Sequence, residues 1–332
     1  MSRLIGLFVI FASLCTGWLW MDYQDAVDSP LDNRETAYFE IFKGQGLAAI
    51  AEALSVQGLI QKPYWFRLLA YAEHAATHLK YGEYEIQPGT TMRQLVALFV
   101  SGKVRQHALT FVEGWRFKQM LAALNQHPAL THRLAGKSDE EIMVLVGASG
   151  ENAEGEFYPD TYFFTKGTED IELLKRAHHT MRLLLEREWQ GRVEGLPLTN
   201  PYEALILASI VEKETARADE RPLISGVFSR RLAQGMLLQT DPTVIYGMGN
   251  EFDGDIRKED LGRDTPYNTY VHPGLPPTPI AMPGLASIHA VLHPDTGASL
   301  YFVARGDGSH VFSSTLNDHQ RAVEQFQINR HE

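Results

Sequence analysis

The spacing of apolar positions changes several times along the chain, and each change marks an element. An uninterrupted apolar run, LIGLFVIFASLCTGWLWM, extends from Leu4 to Met21. As a helix it is ~27 Å long, just enough to cross a bilayer core. Residues 22–36, DYQDAVDSPLDNRET, are polar and acidic with no apolar period, and read as a spacer. From Tyr38 the pattern predicts a strand (YFEIFKG), a helix (LAAIAEALSVQG) and a helix opened by Pro63 (PYWFRLLAYAEHA). A strand (KYGEYEI), a Pro88-Gly89 turn and a helix from Thr91 stopped by Gly102 complete a β-α-α-β-α unit over residues 37–103.

The remaining block, residues 104–332, opens with the strand-like HALTFVEG and a helix. In EGEFYPDTYFF aromatics alternate with Gly, Pro and Asp, which predicts a rigid extended loop and a strand. Asn200-Pro201 starts a helix whose apolar residues cover every side, the mark of an interior helix, ending near Ala216. A helix opened by Pro222 follows, then LQTDPTVIYG. Six of the 16 prolines fall in residues 265–284, a stiff non-helical wall. A short helix (LASIHAVLH), two strands (SLYFVA, SHVFSS) and a terminal helix close the chain. The expected fold class is α+β, with a membrane anchor over residues 1–21, a small subdomain and a larger catalytic domain.

Chemistry concentrates where the interior helix ends, at ASIVEKET. On a helical wheel Glu212 projects between Ala208, Ser209 and Ala216, a stripe of small side chains that leaves room for a ligand. Glu214 points ~160° away, between the bulky Leu207 and Ile210. A partly desolvated Glu212 would hold its proton near neutral pH and serve as a general acid. The plainer alternative is a solvated cluster where the helix leaves the core. Asp241-Pro242 reads first as a helix cap and first turn, whereas Gln239 and Tyr246 are freer to bind a ligand. Glu154 and Asp160 are candidates to line a cleft. Tyr267, Asn268, Thr269 and Tyr270 combine flat aromatic faces with amide and hydroxyl groups, which suits sugars.

Charge and composition narrow the function. With 30 Lys and Arg against 41 Asp and Glu, the net charge of -11 argues against nucleic acid as a partner. The 13 histidines are scattered without an H-E-x-x-H pattern, so no metal is expected, and His272 reads as a turn-packing residue. The single cysteine, Cys15, excludes a disulfide within the chain. Arg3 before the apolar run and Asp22 and Asp25 after it direct the bulk of a single-pass protein out of the cytoplasm, with Trp18 and Trp20 as an interfacial belt. A cleaved signal peptide fits less well, because no A-x-A-like site follows, and Leu14 is too bulky for lipidation at Cys15.

Taken together and in order, EGEFYPDTYFF, LASIVEKET, LQTDPTVIYGMG, YNTYVHPGLPPTPI and SLYFVARGDGSHVFSST resemble the YceG-like family of endolytic murein transglycosylases, over about Tyr38 to His319. The resemblance implies a LysM-like subdomain at residues 37–103. It also implies an inner-membrane location facing the periplasm or cell exterior, and peptidoglycan glycan strands as substrate. Work beside the peptidoglycan synthases is implied too, and no cofactor. It assigns catalysis to the first acid of EKE, Glu212; Glu214, Gln239, Tyr246 and Asn268 are the further candidates for positioning sugars or stabilising positive charge at C1. The sequence departs from the family pattern at Met282 and around His319. The implied reaction splits the N-acetylmuramic acid to N-acetylglucosamine β-1,4 bond and closes a 1,6-anhydro ring, which needs one carboxyl where a hydrolase uses two. Three rival readings remain open: a muramidase with Asp241 or Glu154 as second acid, a non-catalytic wall-binding anchor, and a Ser209-Lys213 hydrolase.

Overall fold

The computed structural model describes residues 2–328, so Met1 of the expected anchor and residues 329–332 of the expected catalytic domain lie outside the description. It is a mixed α/β structure in two compact units, which among the described residues are 2–107 with 163–167, and 108–162 with 168–328.

The first unit begins with α1 (Ser2–Asp28), whose Arg3–Asp28 portion is long and apolar enough to cross a membrane, its most apolar stretch not being buried in the protein. Here the structure corrects the spacer reading, because residues 22–28 continue the helix instead of leaving it. Tertiary contacts supply what the polar sequence lacks. Val27 is fully buried, Tyr23 meets the edge of Trp65 at 5.3 Å, and Asp22 pairs with Lys62 and accepts from Trp65 Nε1 at 2.9 Å.

Next come β1 (Ala37–Ile41), α2 (Leu47–Val56), α3 (Pro63–Ala72), β2 (Gly82–Ile86) and α4 (Met92–Ser101). The order is the β-α-α-β-α expected. β1 and β2 pair antiparallel, with Phe39 opposite Tyr84. Alternation along the strands turns Phe39, Ile41, Tyr84 and Ile86 into one core with Phe66, Leu95 and Phe99. At α4 the local code is complete: Thr91 and Gln94 form a capping box, and Gly102 ends the helix at φ 69°, where a side chain would be strained.

The chain passes between the units through β3 (His107–Thr110) and β4 (Thr161–Phe164). The second unit holds α5 (Phe117–Gln126), α6 (Asp139–Val146), α7 (Asp170–Gln190), α8 (Pro201–Glu214), α9 (Arg221–Ala233) and α10 (Asp241–Met248). It continues with α11 (Lys258–Leu261), α12 (Leu285–Leu292), the antiparallel hairpin β5 (Tyr301–Ala304) and β6 (His310–Ser313), and α13 (Leu316–Val323). As the wheel argument requires, α8 is the axis: residues 204–211 are all buried, packed by α7, α9, α10 and α12. Asn200 caps it by accepting from Glu203 N at 3.0 Å, while Glu203 reaches back to Thr199 N rather than to the cap amide. No helix or strand forms between Gly262 and Gly284, in keeping with its prolines.

Candidate active site

The two glutamates at the end of α8 separate completely. Glu212 Oε2 accepts from Gly284 N at 3.0 Å and from Ser287 Oγ at 2.7 Å, which makes its carboxylate an anionic cap on the N-terminus of α12. Its side chain is only 7% exposed, with Arg221 at 4.0 Å from Oε1. The start of α12 packs against α8 on the side where Ser209 and Glu212 lie. Ser209 belongs to the same seam, donating to Ile206 O and accepting from Ile280 N at 3.0 Å. Lys213 turns away to Gly114 O, at 3.3 Å, so the Ser209-Lys213 dyad does not assemble.

Glu214 emerges into a cavity of about 490 Å³, whose wall also carries Gln239, Asp241, Tyr270, Arg231, His310 and His319. Glu212 is not part of that wall. The bulky Leu207 and Ile210 fill the core one turn earlier, and the helix ends before they can cover Glu214. The Thr240 hydroxyl donates to Glu214 Oε1. Burial pushes the Glu214 carboxyl up to about 7, with Asp241 adding to the rise and the Thr240 hydrogen bond opposing it.

Two motifs build the opposite wall by pairing their threonines. Gln239 N donates to Thr269 O at 3.1 Å, Thr240 N to Thr269 Oγ1 at 3.1 Å, and the Thr243 and Thr269 hydroxyls meet at 2.9 Å. Gln239 is held at φ 53°, a left-handed conformation that costs a non-glycine residue ~1 kcal/mol or more and often marks a functional position. Asp241 is the first residue of α10 and not its cap, which is Thr240; its carboxylate instead accepts from Tyr270 Oη at 2.5 Å.

The other expected residues are placed elsewhere. Asn268 is buried, its amide donating to Leu261 O at 3.1 Å and Arg263 O at 2.7 Å, and its oxygen accepting from Tyr270 N at 2.9 Å. It shapes the loop that presents Tyr270. Glu154 is buried, accepting from Phe117 N at 3.0 Å and Tyr246 Oη at 3.2 Å, and its pKa rises to about 7 through burial. It caps α5. Tyr246 packs against Tyr267 at 4.7 Å, and Tyr267 Oη pairs with Thr278 at 2.9 Å, so none of these three lines the Glu214 cavity. Asp160 closes a turn onto Thr161 N, and His272 pairs with Asp264 at 2.6 Å. Met282 is fully buried, and its backbone bonds Gly114 N and Trp115 O.

Several site residues escape the sequence reading. Arg231 is buried in the cavity wall, its guanidinium donating to Leu300 O, Leu237 O and Leu238 O. Its signal was available, because Arg231 continues the i, i+4, i+7 row of Ile224 and Phe228 on α9, a cation on an interior face. His310 pairs with buried Glu220 at 2.6 Å. His319 stacks on Tyr301 at 5.1 Å, and its buried Nδ1 has no hydrogen-bond partner. Near Glu212, Glu113 lies against Gly284, and burial and the Glu212 charge raise its pKa while Arg221 opposes.

A carboxyl that holds its proton near neutrality, in a cavity walled by tyrosine, amide and charged groups, has the composition of a carbohydrate site. The chain belongs to the YceG-like family, whose model matches residues 39–325. It is 29% identical to the endolytic murein transglycosylase of Bacillus subtilis (strain 168) over 91% of this chain and 88% of that protein. It is 28% identical to the endolytic murein transglycosylase of Streptococcus pneumoniae (serotype 2, strain D39) over 95% of this chain, spanning 64% of that relative's length. The crystal structure of a YceG-like protein from Listeria monocytogenes superposes with a TM-score of 0.55 at 28% identity, covering 87% of this chain and all of that one.

Proposed function

We propose that this protein is an endolytic murein transglycosylase in which Glu214, rather than Glu212, carries the proton. The observation that supports this assignment is the fate of the two carboxyls: Glu212 caps α12, while Glu214 opens into the cavity that Gln239, Asp241 and Tyr270 share. With its pKa near 7, Glu214 holds a proton to give to the glycosidic oxygen between N-acetylmuramic acid and N-acetylglucosamine. The C1–O4 bond breaks, and O4 leaves with that proton. The resulting carboxylate then takes the proton of the muramyl 6-hydroxyl as O6 bonds to C1. This closes the 1,6-anhydro ring without water. Asp241, held by Tyr270, is the negative group available to positive charge at C1, and Gln239 offers polar contacts to sugar.

The apolar helix and the charges around it, with Arg3 before and Asp22 and Asp25 after, fit a single-pass anchor holding both units outside the cytoplasm. The β-α-α-β-α order supports the LysM-like reading of residues 37–103. A site on the outer membrane face suits work on nascent glycan strands beside their synthases.

The test is digestion of purified peptidoglycan by Glu214→Gln and Glu212→Gln proteins, with products resolved by mass spectrometry. Glu214→Gln should lose ~10²-fold or more of the release of anhydro ends, and Glu212→Gln should keep most of it. The reverse pattern would return the acid to Glu212. Asp241 in the same cavity favours a second reading, a muramidase, whose products would be heavier by one water.

A further inference from the structure

Apart from the residues that line the Glu214 cavity, Glu151, Glu156 and His178 each offer one ligand atom, and these atoms all lie within 4.8 Å of one another. His178 comes from α7, and the two glutamates come from the loop between α6 and β4. His178 Nε2 stands 3.4 Å from Glu151 Oε2 and 4.0 Å from Glu156 Oε2. The side chains of His178 and Glu156 are 8% and 9% exposed. Among the described residues no hydrogen-bond donor other than this imidazole approaches the Glu156 carboxylate. A carboxyl in that setting is neutralised either by a proton or by a cation that joins it. Arg182 lines the neighbouring cavity of about 630 Å³ but forms no ion pair with Glu156, and that cavity gives the cluster an open side toward solvent.

We propose that Glu151, Glu156 and His178 form a divalent transition-metal site, with zinc as its best-fitting occupant. One imidazole nitrogen and two carboxylate oxygens are donors that zinc accepts at ~2.0–2.2 Å, which places ligand atoms ~3.3 Å apart around a tetrahedral ion. The 3.4 Å separation already meets this, and the 4.0 Å one closes with a small rotation of the Glu156 carboxylate. Water from the open side fills the fourth position. Manganese, which favours more oxygen ligands, fits less well. The bound ion ties the loop that carries Glu154 to α7, so its effect is on stability and loop order, independent of which glutamate moves the proton. No short motif announces the site, because its ligands come from two separate segments.

The experiment uses the full-length protein in detergent, stripped with chelator and titrated with zinc chloride against a chromophoric competitor, with a manganese chloride series alongside. Wild type should retain one zinc per chain after gel filtration and melt at a higher temperature with zinc than without. Glu156→Gln, nearly isosteric and free of the buried charge, and His178→Gln should each weaken zinc binding 10-fold or more. Both should keep the metal-free melting transition, which separates ligand loss from misfolding. Manganese should bind more weakly than zinc. Absence of retained zinc, or equal retention by wild type and both variants, would overturn the proposal.

Discussion

Ser287 Oγ donates a 2.7 Å hydrogen bond to Glu212 Oε2, tying the first turn of α12 to the last turn of α8. Together with the Gly284 amide it occupies one carboxylate oxygen and leaves the acid acting as a helix cap. Glu212→Ala should therefore cost stability, about 1–3 kcal/mol in chemical denaturation, through two lost hydrogen bonds to a charged acceptor. Glu212→Gln should cost less, since its amide oxygen still accepts.

The pH dependence of turnover follows from Glu214. Its carboxyl must be protonated to act as an acid, and its pKa stands at about 7, so kcat/KM should fall on the alkaline side of neutrality. Thr240→Val removes a hydrogen bond that favours the ionised form, so the alkaline limb should move to higher pH. Asp241→Asn removes a negative neighbour, so it should move to lower pH. Rate profiles of the two variants against wild type check both signs, and a common direction would contradict the assignment.

Glu154 governs stability rather than rate. Burial raises its folded pKa from 4.5 to about 7, so the folded state binds its proton more tightly than the unfolded chain. That advantage is complete below pH ~4.5 and is lost as pH rises through about 7, a change of up to ~3 kcal/mol. Glu154→Gln should flatten the decline of unfolding free energy over this window, as read by denaturant melts between pH 5 and pH 8.

Gly155 carries a backbone constraint and a packing constraint at once. Its φ is 84°, and a Cβ there would lie 2.4 Å from Pro279 Cβ. Since a proline ring has nowhere to rotate, Gly155→Ala should cost ~3 kcal/mol or more in unfolding free energy. Gly44 has a similar φ, 82°, and open space around its would-be Cβ, so Gly44→Ala should cost less.

Much of the fold was readable because it is written locally. The Thr91 capping box, the Pro63 and Pro201 helix starts, the Gly102 stop and the alternation of Phe39 and Ile41 each act within a few residues, and the elements form where those signals stand. The all-round apolar surface of α8 likewise announced an interior helix. Where local signals are weak the reading failed: residues 22–28 look like a spacer, yet contacts with Lys62 and Trp65 keep them helical.

The site was legible as a set of segments and not as an arrangement. Composition and apolar period showed an N-terminal helix apolar enough to cross a membrane and a mixed α/β chain with its acids at the end of α8, and motif order carried the family resemblance, because these are properties of the chain. Which acid faces the cavity was decided only by tertiary structure. A helical wheel gives the direction of a side chain but not what stands there, and the start of α12 packs against α8 on the side that promised a cleft to Glu212. The same limit hid Arg231, His310 and the Glu151, Glu156 and His178 cluster, whose partners lie far apart in the chain and meet only through packing.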